Sequence, residues 1–112
     1  MIDVKAEVKK ALGAIEGAKV FFYFPQDFKK LPCISYYEAH NAPGASGDDA
    51  EYLSEIIYVV DVWGDSSAIV TNIAIETDEK MKGIGFVREF AHDVNDPDSK
   101  VRHKTMRFRL LY

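Results

Sequence analysis

The feature that most constrains this chain is a long run of β-branched and aromatic residues from Glu51 to Trp63, which Gly64 ends. This composition favours a β-strand. Alternation places every second residue on the same face. One face would carry Ser54, Ile56, Tyr58, Val60 and Val62, and the other Glu55, Ile57, Val59, Asp61 and Trp63. We therefore predict a central strand with one face in the core and a mixed second face that meets a loop, an edge or another subunit.

Helical periodicity appears before and after this run. Asp3 can cap a first helix that Gly13 or Gly17 ends, and Ser66 or Ser67 can cap a second that ends at Gly83 or Gly85. The apolar positions of the first are Val4, Val8, Leu12 and Ile15, and those of the second are Ile69, Val70, Ile73, Ala74 and Met81. The spacing predicts two amphipathic helices.

Four further segments are predicted strands: 18–24, largely buried because it is rich in aromatic residues, 33–38, 86–94 and 103–112. Strict alternation in 86–94 groups Phe86, Arg88, Phe90, His92 and Val94 on one face. In the last strand it places Met106, Phe108, Leu110 and Tyr112 inward and Arg107 and Arg109 outward. The last two strands should pair antiparallel.

The order α-β-β-β-α-β-β predicts an α+β fold with two helices packed on a mainly antiparallel or mixed sheet. A chain of 112 residues accommodates one domain, 1–112. The Gly- and Asp-rich stretch at about 40–50 is predicted to be a mobile loop. The fold class is therefore set by the periodicity of the chain.

Composition disfavours several functional classes. A net charge of −4 argues against specific nucleic-acid binding, which needs clustered Lys and Arg. The single cysteine, Cys33, cannot form an internal disulfide and is expected to be a small buried hydrophobe in a reducing compartment. No signal peptide or membrane-spanning apolar run is visible, so we expect a soluble protein made in the cytoplasm without a membrane partner.

Candidate catalytic and metal-binding residues are sparse. His40, His92, His103 and the carboxylates are possible metal ligands, but no two histidines have helical i, i+4 spacing, so surface histidines are the better interpretation. Cys33, Ser35, Ser54 and Ser66 lack a recognisable nucleophile context. We expect no cofactor, no metal and no catalytic residue. The alternative from another class is a small metal-dependent hydrolase that uses Asp61, His92 and His103.

Opposite charges are segregated along the chain. The basic set is Arg102, His103, Lys104, Arg107 and Arg109, and the acidic set is Asp48, Asp49, Glu51, Glu55 and Asp61. A head-to-tail contact between subunits needs two complementary patches of this kind. Pairing within one chain explains the same pattern equally well, and both interpretations stay open.

The chain resembles a known family in the order and spacing of its segments. These are PCISYYEAHN from Pro32, YLSEIIYVVDVWG from Tyr52, a Ser-led helix ending near Met81, and GFVREFAHDVNDPDSKVRHKTMRFRLLY. Over roughly residues 18 to 112 the chain is similar to small tail-completion, or tail-terminator, proteins of long-tailed phages and prophages of Gram-positive hosts.

The resemblance implies a non-enzymatic virion protein with an α+β sandwich fold. Such proteins assemble as a ring, usually a hexamer, on the head-proximal end of the tail tube, stop its polymerisation and join the tail to the head connector. Self-association, the tube protein and the connector protein are the implied partners, with assembly in the host cytoplasm. The implied binding segments are 40–51 and 95–104, and the first would become ordered on assembly.

The residues predicted to contact partners or other copies combine these segments with the charged sets. They are His40, Asp48, Asp49, Glu51, Glu55, Asp61, Trp63, Arg102, Lys104, Arg107 and Arg109. Another head-tail connector, a tube component, or an intracellular module that docks one partner on the mixed face of 51–63 remain alternatives.

Overall fold

The computed structural model describes residues 1–25, 30–43, 54–94 and 100–112. Their elements follow the order that the periodicity predicts, so the α+β fold class is confirmed. The elements are α1 (Lys5–Gly13), β1 (Lys19–Phe22), β2 (Cys33–Pro43), β3 (Ser54–Gly64), α2 (Ser67–Gly83), β4 (Val87–Val94) and β5 (Arg102–Leu111). No helix in these ranges is long and apolar enough to cross a membrane.

The five strands form one mixed sheet in the order β1-β2-β3-β5-β4. β1 runs parallel to β2, and the other neighbours are antiparallel, including β4 and β5 as predicted. β3 is therefore the central strand, and β1 and β4 are the two edge strands.

Both helices pack against the same face of the sheet. Val8 and Leu12 of α1 and Ile73 and Met81 of α2 belong to one buried cluster with Tyr58 of β3. The predicted inner face of β3 is confirmed, because Ile56, Tyr58, Val60 and Val62 are all fully buried. The opposite side of the sheet, called here the open face, carries Ile57, Val59, Asp61 and Trp63 of β3 and His103, Thr105, Arg107 and Arg109 of β5.

The helix boundaries follow local chemistry. Ser66 caps α2, since its Oγ accepts a hydrogen bond from the backbone N–H of Ile69 at 3.2 Å. Asp3 lies one residue before the N-cap of α1 and accepts from the N–H of Lys5 at 3.0 Å. Gly85 has φ +100°, a conformation that glycine adopts readily, just after the end of α2.

The predicted loop at 40–50 is wrong over its first part. Residues 40–43 belong to β2, where His40 lies opposite Ile57 and Asn41 opposite Ile56. A β-bulge between Glu38 and His40 shifts the register, and the ladder continues because β3 supplies partners as far as Ser54. The rest of that predicted loop, 44–50, lies outside the described residues.

The predicted single face of 86–94 is also wrong. A register shift between Arg88 and Phe90 places Arg88 opposite the buried Phe108, whereas Phe90 lies opposite Arg107 on the open face. The extra residue, Glu89, reverses the alternation from that point. As a result Phe90, His92 and Val94 share the open face with Val87, which lies opposite Arg109, whereas Arg88 lies on the other face.

Two further predictions of burial fail at single positions. Tyr112 is 61% exposed because β5 ends one residue earlier, at Leu111. Ile69 is 39% exposed in the first turn of α2. Conversely, Thr77 is fully buried, and its hydroxyl donates to the carbonyl of Ile73 at 2.8 Å, which explains how a polar residue fits the buried side of the helix.

Candidate functional site

A compact polar cluster lies on the open face, at the end of β3 that precedes Gly64. Asp61 Oδ1 lies 2.7 Å from His103 Nε2, and the imidazole of His103 stacks on the indole of Trp63 with centroids 3.6 Å apart. The indole N–H of Trp63 donates to the hydroxyl of the fully buried Ser35 at 2.9 Å. The cross-strand register creates the cluster, because Trp63 lies opposite both Cys33 and His103, and Asp61 lies opposite Ser35.

Most of the described charged residues predicted to form an interface are ion-paired within the chain. Arg109 Nε lies 2.8 Å from Glu55, whose other oxygen lies 3.5 Å from His40. Two more pairs link β4 and β5, Arg107 with Glu89 and Lys104 with Asp93, both at 2.9 Å. For these residues the intramolecular interpretation describes what is observed, and contact with a partner stays a prediction.

The remaining predicted interface residues differ in position. Arg102 is exposed at the start of β5, opposite Gly64. Asp48, Asp49 and Glu51 lie outside the described residues. Among the described residues, the basic and acidic sets meet across neighbouring strands, where His103 contacts Asp61 and Arg109 contacts Glu55.

The structure does not assemble the trio predicted for a metal-dependent hydrolase. Asp61 and His103 are in contact, but His92 lies on β4 opposite Thr105 and stacks on Phe90. Within the described ranges, no group of three His, Cys, Asp or Glu side chains is placed to hold a metal ion. The hydrolase alternative therefore has no site among these residues.

The buried thiol of Cys33 behaves as predicted for a structural cysteine. Cys33 is fully buried, and burial raises the pKa of its thiol from 9.0 to about 11. A thiolate is the nucleophilic form, so this environment disfavours a reactive cysteine at neutral pH.

The edge strand β4 exposes apolar side chains. Val87 is 68% exposed, Phe90 43% and Val94 41%, and these three residues are called here the β4 patch. Because β4 has a neighbour only on its β5 side among the described strands, its outer edge also presents backbone N–H and C=O groups that no described strand pairs. Sequence analysis missed this patch because the bulge at Glu89 changes which residues face outward.

The other edge carries exposed aromatic residues. Phe22 is 45% exposed, Tyr23 55% and Phe24 71%, and these three are called here the β1 patch. The prediction that this segment is largely buried is wrong. Tyr23 has a positive φ of 74°, which ends β1. Its ring stays at the surface and stacks on the ring of Tyr37, with centroids 6.2 Å apart. The density of aromatic residues predicted the strand correctly, but it did not predict that these aromatic side chains are exposed.

Among the described residues, several acids and bases are paired across strands, and exposed apolar side chains are prominent at the two edges of the sheet. Neither a scan against protein-family models nor a search of curated proteins finds a match to this chain.

Proposed function

We propose that the protein is a non-enzymatic structural component of a phage virion that caps the head-proximal end of the tail tube. In this role it stops tube polymerisation and joins the tail to the head connector. The observation that carries the proposal is the pair of exposed apolar patches on opposite edges of one sheet.

Two different patches allow one subunit to contact two neighbours. Exposed apolar clusters commonly mark protein interaction sites. When the patches differ, contacts are heterologous, and such contacts close into a ring if the rotation between copies is suitable. The β1 patch is aromatic and the β4 patch is mainly aliphatic, so they meet this requirement. The proposed partners are further copies of the chain, the tail tube protein and the head connector protein.

The resemblance to tail-terminator proteins adds the particular place in the virion. It rests on the order and spacing of segments within 18–112, and the mixed sheet with helices on one face agrees with the fold that it implies. A different connector or tube component would use the same kind of surface. The experiment therefore has to read out termination and joining separately.

The test is deletion of this gene in the parent phage or prophage, followed by electron microscopy of induced lysates. We expect full heads separated from tails, with tails of abnormal length, and restoration by the gene supplied from a plasmid. Heads separated from tails of normal length would support a joining role without termination. Normal virions after deletion would overturn the proposal.

A further inference from the structure

An open groove runs between α1 and β1 on the helix-covered side of the sheet. It measures about 580 Å³, with Val20, Phe22 and Tyr36 forming its apolar floor. Lys5 and Lys9 of α1 line its other side. The groove therefore combines aromatic surface with positive charge, and it includes one residue of the β1 patch.

The lysines near this groove, like Lys80 and Lys82 of α2, have no ion-pair partner among the described residues. Lys19 and Lys30 line an adjoining depression at the start of β1. In the described ranges no carboxylate lies within ion-pair distance of Lys5, Lys9, Lys19 or Lys30. By contrast Lys104, Arg107 and Arg109 of β5 are already paired. Positive charge is thus available for a ligand beside β1 more than on β5.

The chain itself contains a segment of matching chemistry. Residues 48–53 read Asp-Asp-Ala-Glu-Tyr-Leu, with three carboxylates followed by an aromatic and an aliphatic side chain. Carboxylates suit the lysines, and the Tyr and Leu side chains suit the apolar floor. The sequence-based pairing of this acidic segment with the β5 arginines is less well supported, since their charges are satisfied within the chain.

We propose that the α1–β1 groove binds residues 48–53 of a second copy of this chain. The inference rests on the proposed function, because it names a contact between neighbouring copies in the ring. It assigns the basic side of that contact to Lys5 and Lys9, with Phe22 and Tyr36 as the apolar surface.

Tyr52 and Leu53, the apolar end of residues 48–53, are too close in sequence to Ser54 to reach the groove floor of their own copy. Ser54 lies opposite Pro43, whereas the groove floor includes Tyr36, seven residues earlier in β2. Seven residues of extended strand span about 23 Å at about 3.3 Å per residue. Tyr52 is only two residues from Ser54, which allows about 7 Å between their Cα atoms. If Tyr52 and Leu53 fill the floor, they therefore come from another copy.

The test uses a fluorescein-labelled peptide of residues 47–53 and the full-length protein, with binding followed by fluorescence anisotropy at low salt. We expect saturable binding that weakens as salt is raised. Lys5→Glu/Lys9→Glu should weaken the peptide Kd at least tenfold. The matched control is Lys80→Glu/Lys82→Glu on the exposed side of α2, which should leave the Kd unchanged. A peptide with Asn and Gln in place of its three acidic residues should lose binding.

Two results would overturn the inference: no binding of the peptide, or equal binding by the Lys5→Glu/Lys9→Glu variant. Peptide binding is measured without virions, so its result is independent of the test of the proposed function. Absence of binding together with detached tails after gene deletion would leave the tail role intact and reject this contact. Groove-specific binding together with normal virions would support the self-contact and reject the tail role.

Discussion

At the scale of single residues, Tyr58 is the least satisfied polar group in the described core. Its side chain is fully buried, and its hydroxyl has no hydrogen-bond partner among the described residues. Burial raises the pKa of Tyr58, and the negative charges of Glu38 and Asp3 raise it further. An unsatisfied buried hydroxyl costs free energy that a phenyl ring of the same shape does not.

We therefore expect Tyr58→Phe to leave the free energy of unfolding unchanged or to raise it by about 1 kcal/mol. Tyr58→Ala should lower it by about 3–5 kcal/mol, because it removes a core aromatic ring. Urea unfolding of the two variants beside the unmodified chain measures both effects. A loss above about 1 kcal/mol in Tyr58→Phe would show that the hydroxyl makes a stabilising hydrogen bond.

Cys33 predicts a specific loss of stability at alkaline pH. Its folded-state pKa is raised from 9.0 to about 11, so its contribution to folding is complete below pH 9 and is lost as the pH rises towards 11. We expect the unmodified chain to lose more stability between these pH values than Cys33→Ala does. Burial also raises the pKa of Tyr36 and Tyr58 in both proteins, so the difference between their pH profiles isolates the thiol. Parallel pH profiles would contradict the prediction.

At the scale of elements, the two glycines that the sequence offers as the end of α2 have different roles. Gly85 has φ +100°, and a Cβ there would lie 3.2 Å from Leu110 Cδ1. Gly83 is the last helical residue, and a Cβ there meets nothing within 4 Å.

Gly85→Ala should lower the free energy of unfolding by about 1–2 kcal/mol, from backbone strain. Gly83→Ala should be neutral or raise it by up to about 1 kcal/mol. Thermal and urea unfolding of both variants compare them directly, and equal effects would contradict the assignment.

Periodicity predicted the element order because the inner positions recur regularly: Val8 and Leu12 of α1 are four residues apart, and every second residue from Ile56 to Val62 of β3 is buried. It failed where an extra residue interrupts a ladder, at Ala39 in β2 and Glu89 in β4. A bulge leaves little signal in a single sequence, yet it moves every side chain beyond it to the opposite face of the sheet. The β4 patch was missed for this reason.

At the scale of the whole molecule, the candidate site depends on strand register, which local pattern cannot supply. Glu55 and Arg109 are 54 positions apart and pair only because β5 inserts between β3 and β4. The sequence therefore identified the two charged sets but left open whether their members make contact within the chain or between chains. The lysines of α1 that lack a described ion pair could be identified only after the structure showed which basic residues are paired.

The β4 patch yields a prediction about assembly separate from folding. Phe90→Lys/Val94→Lys places charges on an exposed edge, so the free energy of unfolding should change by about 0.5 kcal/mol or less per site. The same variant, supplied to the gene-deleted phage, should fail to join tails to heads. Ile69→Lys, also at an exposed apolar position but on α2, is the control and should restore joining. Full complementation by the β4 variant would remove this edge from the assembly interface.

The pair of Glu55 and Arg109 distinguishes the two interpretations of the charged open face. Arg109→Glu places two carboxylates where one ion pair now lies at 2.8 Å, so a stability loss of up to about 1 kcal/mol is expected. The swap Glu55→Arg/Arg109→Glu should recover that stability, which urea unfolding measures. If Arg109 acts only within its own chain, the swap also restores head-tail joining in the deletion strain. If Arg109 contacts a partner, as the segregation of opposite charges along the chain allows, the swapped protein folds normally and joining still fails. We expect the second outcome, because the pair is partly exposed on the side of the sheet that no described helix covers, and its polarity there is a feature that a partner can recognise.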